Sequence, residues 1–316
     1  MKLDLKTTAF VFPGQGSKTV GMGRELAAES LPARQTFEEA DDILGFALSH
    51  LMWDGSEAEL NDTVNTQPAL YVHSVAAKRV FSHLFPEFQP ASVAGHSLGE
   101  LSALTAAGAL SFADGLRLVR TRGELMKRAG EIAPGGMAAI LGLDIPALEK
   151  VCAEASAPDE IVQVANDNCP GQVVISGAKG AVARAIEGAK AAGAKRGIPL
   201  AVSIAAHSPL MASIQDEWNE AVDACAMNDP VVPVIGNVHA VSMKTASELR
   251  ADIKAQMQSR VRWTESVQAM LKVGTQAFVE VGSGNVLLGL IRRINSTVSG
   301  YPLGNPTDFA TLTGEI

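Results

Sequence analysis

Aromatic side chains are scarce in this 316-residue chain: 10 Phe, 3 Trp and 2 Tyr make up 5% of it. Basic residues are also short, 26 Lys and Arg against 34 Asp and Glu, for a net charge of −8. That balance argues against a general nucleic-acid binder. An acidic protein partner would be repelled at long range unless a local basic patch received it. The three cysteines, Cys152, Cys169 and Cys225, are odd in number and show no CxxC spacing. A disulfide framework and a zinc site are both disfavoured, and free core or surface thiols are expected. No window approaches the roughly 18 uninterrupted apolar residues of a membrane span. The N-terminal Met-Lys-Leu-Asp-Leu-Lys has charges but no apolar stretch of the kind a secretory signal needs. A cytosolic protein is expected, with no membrane contact. No internal repeat and no low-complexity segment stands out.

What is abundant is small and apolar. Hydrophobic residues make up 47% and glycine contributes 29 positions, which suits helices packed closely on a sheet. The length predicts one large domain, with room for an insert. Short apolar runs halted by Gly or Pro read as buried parallel strands: Ala9–Phe12 before Pro13-Gly14, Ala91–Gly95, and Ala277–Val281 before Gly282-Ser283-Gly284. Val231–Gly236 is a fourth, with Pro233 placing it near an edge or bend. Helical stretches alternate with them over Thr66–Phe81, Glu100–Leu110, Phe112–Ala129 and Val286–Ile294. The alternation predicts an open α/β sheet.

Residues 135–200 read differently. Met137–Gly142 predicts a strand and Ile145–Glu154 a helix. Ile161–Ala165 and Gln172–Ser176 predict two strands around an Asn-Asp-Asn-Cys-Pro-Gly turn. Ala181–Ala192 predicts a second helix, and Gly197–Leu200 begins a last strand. That order, βαββαβ, is ferredoxin-like, and predicts a small subdomain inserted into the larger one.

The chemistry is concentrated in Gly95-His96-Ser97-Leu98-Gly99, a G-x-S-x-G pattern that follows an apolar strand and opens an alanine-rich helix. Strand, turn and helix are the context of a nucleophile elbow. The turn exposes Ser97 at a helix N-terminus, where the N–H of Leu98 can donate to a developing oxyanion. A serine nucleophile needs a base. Of the six histidines, His96 adjoins Ser97 but points elsewhere on such a turn. His50 and His83 look like surface positions, and His73 and His239 have no distinguishing context. His207, where an apolar segment reaches a turn before Pro209, is the first choice.

An ordered set of motifs resembles a known family. Phe12-Pro13-Gly14-Gln15-Gly16-Ser17, Thr66-Gln67-Pro68-Ala69, Gly95–Glu100, Arg122-Gly123 and Val279–Gly284 together resemble the malonyl-CoA:acyl carrier protein transacylases of fatty acid synthesis, with polyketide synthase acyltransferase domains as wider relatives. The likeness runs over essentially the whole chain. It implies an α/β-hydrolase-like core, residues 1–134 and 203–316, with a ferredoxin-like subdomain at 135–202. It implies Ser97 as nucleophile and His207 as base, its ring held by the backbone carbonyl of Gln256. The N–H groups of Gln15 and Leu98 would form the oxyanion hole. Arg122 would bind the malonyl carboxylate, with Gln67 and His96 also at the substrate. A planar guanidinium matches a carboxylate bidentately. An acid behind His207 in place of the carbonyl stays open at this stage.

The resemblance further implies malonyl-CoA and an acyl carrier protein as partners, no cofactor or metal of the enzyme's own, and a monomer. Carrier proteins are acidic, so a basic landing site is expected at Arg184, Lys190, Lys195 and Arg196 on the insert, or at Arg292 and Arg293 on the late helix. Each of these is equally readable as a solvated helix-face charge. Leu98 matches the malonyl-selective pattern. Ile204-Ala205-Ala206-His207 matches neither segment that malonyl- and methylmalonyl-selective polyketide domains carry before the base, and Ala206 leaves space beside the acyl chain. Lys18 stands where Gln is commoner, with no loss of function expected. The rival readings are a serine hydrolase or thioesterase with the same Ser97–His207 pair, the acyltransferase subunit of a malonate decarboxylase or a trans-acting polyketide synthase, and a non-catalytic scaffold. A hydrolase of neutral esters has no use for a pocket arginine, and a scaffold needs none of the three groups.

Overall fold

The structure, a computed structural model, describes residues 3–4 and 6–314; Met1, Lys2 and Leu5 of the N-terminal segment and the last two residues lie outside it. Among the described residues the strands form two sheets. The larger contains β1 (Thr8–Phe12), β2 (Ser92–Gly95), β7 (Val234–Ile235), β8 (Ser242–Met243), β9 (Ala277–Val281) and β10 (Ser299–Leu303), in the order β10-β9-β1-β2-β7-β8. Neighbours run parallel except at β8, which is antiparallel to β7. Helices cover both faces, which is why the central strands are apolar throughout. Phe10 and Phe12 of β1 join the core on one side with Phe81, Leu101 and Val119. Ala9 and Val11 join the core on the other, with Val267, Leu287 and Ile291.

Strands β1, β2 and β9 sit where the apolar runs predict them. Val231–Gly236 contributes only the two residues of β7, second from the edge. Pro233 just before it has no N–H to give, yet its carbonyl accepts from Val93 N–H at 2.9 Å. The sequence reading did not anticipate β8 or β10. β10 reads Ser-Gly-Tyr-Pro-Leu and pairs on one side only, a place where Pro302 is tolerated because the edge needs no second row of donors.

Helix Thr63–Leu84 starts ahead of its apolar stretch, capped by the Asp62 carboxylate on Val64 N–H at 3.1 Å. It passes through Pro68, which cannot donate to the carbonyl of Val64 four residues back. The Arg120 guanidinium donates to that carbonyl instead, at 3.1 Å. Helix Phe112–Ile132, which carries Arg120 and Arg122, packs along this one.

The smaller sheet contains β3 (Gly135–Leu141), β4 (Val162–Cys169), β5 (Gln172–Ala178) and β6 (Arg196–Pro199), all antiparallel in the order β4-β5-β3-β6. Helices Ile145–Ala155 and Lys179–Ala191 share its apolar core. One expectation is corrected: Asn166-Asp167-Asn168-Cys169 is strand, and the turn is only Pro170-Gly171, with Gly171 at φ +73°. Two bulges in β4, at Val164/Asn166 and Asp167/Cys169, make this possible. They shift the register while the polar half stays paired with β5, and the same stretch bonds to the large core, where Asp167 N–H donates to Val261 O at 2.9 Å and Val261 N–H to Ala165 O at 2.8 Å.

Candidate active site

β1 and β2 are neighbours, and the site lies outside their carboxyl ends, where open parallel sheets place ligands. Ser97 follows β2 directly and takes φ +53°, the left-handed region that side chains rarely adopt. The turn closes only because its flanks are glycine: a Cβ on Gly95 would stand 1.9 Å from the Gly99 carbonyl carbon, and one on Gly99 would stand 2.0 Å from Phe12 O. Asn237, in the loop after β7, pins the strained residue. It accepts from Ser97 N–H at 2.7 Å and donates to Gly95 O at 2.7 Å. The sequence reading missed Asn237. Its only signal is a polar residue ending an apolar strand beside Gly236.

His207 is 3% exposed and also has a left-handed backbone, φ +59°. Its Nε2 lies 2.8 Å from Ser97 Oγ. Its Nδ1 lies 3.0 Å from Gln256 O and 3.1 Å from Ser259 O. Carbonyls only accept, so Nδ1 carries the proton and Nε2 offers its lone pair to the serine. No acid stands in that position. Burial first, then the Arg122 charge, pushes the ring down to about 3, against the pull of the two carbonyls.

Arg122 is 2% exposed. Nη1 donates to Gln67 Oε1 at 2.7 Å, and Nη2 to Gln256 Oε1 at 2.9 Å and Ser97 Oγ at 3.1 Å. Every partner is neutral, and Nε has none among the described residues. Burial lowers its pKa to about 10, so the guanidinium is still charged at neutral pH. A buried cation without a contacting carboxylate is expensive unless an anion arrives from outside.

These groups open on a cavity of about 320 Å³, walled by the Gly14–Lys18 loop, the elbow, Met126, Ala206 and helix Val286–Ile294. The backbone N–H groups of Gln15 and Leu98 find no acceptor among the described residues. His96 lines the cavity and its Nε2 meets Asn168 Oδ1 at 2.8 Å, a contact the bulged β4 creates. Gln67 is fully buried and reaches Arg122, not the cavity wall. Gln163 on β4 holds the His207 carbonyl at 2.8 Å and that of Gln258 at 3.1 Å.

His50, His83 and His239 are exposed, and His73 is buried against Gly304 O at 2.9 Å. The three thiols are free. Of the basic candidates, Arg184 pairs with Glu160 and Lys190 with Glu187, each at 2.7 Å. Lys195, Arg196, Arg292 and Arg293 are exposed. Arg293 donates to Pro170 O at 3.1 Å, and Gly171 O accepts from Gly142 N–H, against which Lys195 packs. Lys195 of the insert and Arg293 of the late helix thus both lie by the β4–β5 turn, beside Gln172 on the cavity rim. Among the described residues no group of three or more His, Cys, Asp or Glu could hold a metal ion. No described helix is long and apolar enough to cross a membrane.

A parallel α/β sheet with a serine elbow, a carbonyl-held histidine and a buried arginine at its carboxyl edge defines an acyl transferase. The acyl transferase domain family matches residues 9–301. A malonyl CoA-acyl carrier protein transacylase of Bacillus subtilis is 45% identical over 300 residues, covering 94% of this chain and 93% of its own. An acyl carrier protein S-malonyltransferase from Vibrio cholerae, solved by crystallography, superposes with a TM-score of 0.93 at 43% identity, covering 97% of this chain and 99% of its own. A malonyl-transacylase solved in complex with its type II PKS acyl-carrier protein gives a TM-score of 0.94 at 41% identity, covering 98% and 100%. The chain belongs to the malonyl CoA-acyl carrier protein transacylase family.

Proposed function

We propose that this protein transfers a malonyl group from malonyl-CoA to the phosphopantetheine thiol of an acyl carrier protein, by a ping-pong route through an ester on Ser97. The observation that carries the reading is Arg122: a guanidinium 2% exposed, in contact with the nucleophile's oxygen and with no acid in contact with it among the described residues. An acyl group ending in a carboxylate supplies the missing charge at the place where the chemistry occurs.

In the first half-reaction, His207 Nε2 takes the Ser97 proton as Oγ attacks the thioester carbonyl. The N–H groups of Gln15 and Leu98, which have no other acceptor among the described residues, receive the oxyanion. The imidazolium is stabilised by the carbonyls of Gln256 and Ser259, more weakly than by an acid. That suffices because a thiolate is a good leaving group. Collapse expels coenzyme A, which leaves with the proton from His207. The carrier thiol enters, gives its proton to His207, attacks the ester and takes the malonyl group, regenerating Ser97. Gln67 holds Arg122, and His96 with Asn168 forms the wall behind the thioester. No cofactor or metal takes part in this scheme.

We place carrier docking at the cluster of Lys195, Arg196, Arg292 and Arg293 around the β4–β5 turn, where an acidic partner meets local positive charge despite the overall −8. Lys190, tied to Glu187, lies farther along its helix. Residues 135–202 then act as a separate subdomain against the core of 1–134 and 203–316, with the arm entering between them. A cytosolic, monomeric enzyme of fatty acid synthesis completes the reading; fractionation and light scattering test those two points.

The test is intact-mass analysis after mixing with malonyl-CoA, methylmalonyl-CoA and acetyl-CoA. A malonyl adduct on Ser97, discharged by a carrier protein faster than by water, is expected. Rapid release of free malonate would favour the hydrolase, and a dominant methylmalonyl adduct would sink the malonyl assignment.

A further inference from the structure

Two acids lie behind these groups, and the scheme above uses neither. Glu100, in the first turn of helix Gly99–Ala106, is 0% exposed; Asp252, on helix Ala246–Gln256, is 4% exposed. The two carboxyls converge on one backbone donor. Both accept from the single N–H of Asn237, Glu100 at 3.3 Å and Asp252 at 3.2 Å. Asp252 also meets Val238 N–H at 3.4 Å. Neither forms an ion pair among the described residues. Two buried carboxyls crowded onto one N–H repel each other if both are ionised, and one proton retained between them relieves that repulsion.

Glu100 makes one more contact. Its Oε2 accepts from Gln256 Nε2 at 2.5 Å, and the same amide nitrogen donates to Ser97 O at 2.9 Å. Both amide hydrogens are thereby engaged, so Oε1 is the atom that faces Arg122 Nη2 at 2.9 Å. A flipped amide would set N–H against guanidinium and oxygen against two acceptors. The backbone carbonyl of the same glutamine receives His207 Nδ1–H.

We propose that Glu100 and Asp252 form a buried carboxyl pair that retains one shared proton, and that the pair is a positioning device. Through the Gln256 side chain it fixes the fork of Arg122 for the substrate carboxylate. The inference rests on the reading of Arg122 as the malonyl-binding group. Burial raises both acids, and the Asp252 charge lifts Glu100 further, well above its ordinary range. The charged or titratable groups facing the pair are Arg122, whose cation is favoured by Glu100, and His239, on the side of Asp252. The asparagine and glutamine that complete the shell are neutral. The pair thus places one negative charge behind Arg122, enough to favour the cation without meeting its outward fork.

Infrared difference spectroscopy of the whole protein at neutral pH, wild type minus Glu100→Gln/Asp252→Asn, tests the shared proton without substrate. A protonated-carboxyl C=O band together with one carboxylate is expected; carboxylate bands alone would overturn the proposal. The positioning role is read from adduct formation on Ser97. Glu100→Leu should lose roughly 10²-fold in kcat/KM for malonyl-CoA, carried mainly by KM. Acetyl-CoA, which has no carboxylate for Arg122, should lose clearly less. Glu100→Gln, which keeps an acceptor for Gln256 and a donor for Asp252, should recover most of the loss. Equal losses on the two thioesters, or no loss on malonyl-CoA, would overturn it. If the leucine variant fails to fold, the spectra and Glu100→Gln still decide. Absence of any malonyl adduct in wild type would instead indict the malonyl reading and leave the spectral result standing.

Discussion

His207 works as a base with two carbonyls behind it and a cation in front, and that has a consequence for pH. Burial holds the ring neutral, down to about 3. The lone pair on Nε2 is therefore available across the range where an ordinary histidine titrates. The acid limb of kcat/KM for malonyl-enzyme formation should lie well below 6.5, as pH-dependent adduct kinetics would show; a limb at 6.5 would mean the ring is more solvated than described. Stability follows with the opposite preference. The folded pKa is depressed, so this contribution is full above about 6.5 and fades as pH falls, by roughly 1.4 kcal/mol per pH unit, until about 3. Arg122 makes the second residue-level prediction. Arg122→Leu removes a charged fork whose two bonds to a carboxylate are each worth about 1.5–3 kcal/mol, so malonyl-CoA kcat/KM should fall by about 10²- to 10⁴-fold. Acetyl-CoA should hold or improve, and competition between the two thioesters measures the switch. Ser97→Ala should leave the melting temperature near wild type and give no adduct.

At the scale of elements, the elbow depends on backbones that approach too closely for any side chain. Gly99→Ala drives a methyl to 2.0 Å from Phe12 O. The expected loss is about 3 kcal/mol or more of stability, with activity lost alongside, measured by denaturant unfolding. The glycines and the strand-before, helix-after context were legible because they are local. Asn237 was not, since it reaches Ser97 across 140 residues of sequence. Pro68 shows the same division. A proline inside a helix leaves a carbonyl four residues back without its donor, and here Arg120, from a neighbouring helix, takes that carbonyl. Arg120→Ala should cost about 1 kcal/mol. Strand β4 misled the reading for a related reason: Asn-Asp-Asn-Cys-Pro-Gly carries turn residues throughout, and bulged pairing with β5 together with the contact to Val261 makes four of them strand.

For the whole molecule, the decisive fact is the meeting of two sheets over one cavity. Lys195 of the insert and Arg293 of the late helix are separated by about a hundred positions in sequence, yet both lie by the β4–β5 turn. Charge reversal at Lys195, Arg196 and Arg292 together should raise the carrier-protein KM by about tenfold while malonyl-CoA loading is unchanged, and the difference should shrink at high salt. Unchanged carrier KM would move docking elsewhere. Arg293 is left out of that variant because it also ties Pro170 and Gln172 to the core.

The sequence by itself determined what nearest neighbours along the chain decide: apolar runs that must be buried, glycines that permit one sharp turn, and the order of strands and helices that names both sheets. It also carried the motif set that marks the family. Only the tertiary structure decided which histidine proton faces a carbonyl, that Gln67 stands behind Arg122 and away from the cavity, and that Glu100 meets Asp252. Those facts depend on side chains from distant segments desolvating one another. Burial and charge pairing of that kind have no period and no spacing in the chain, because they are set by three-dimensional proximity alone.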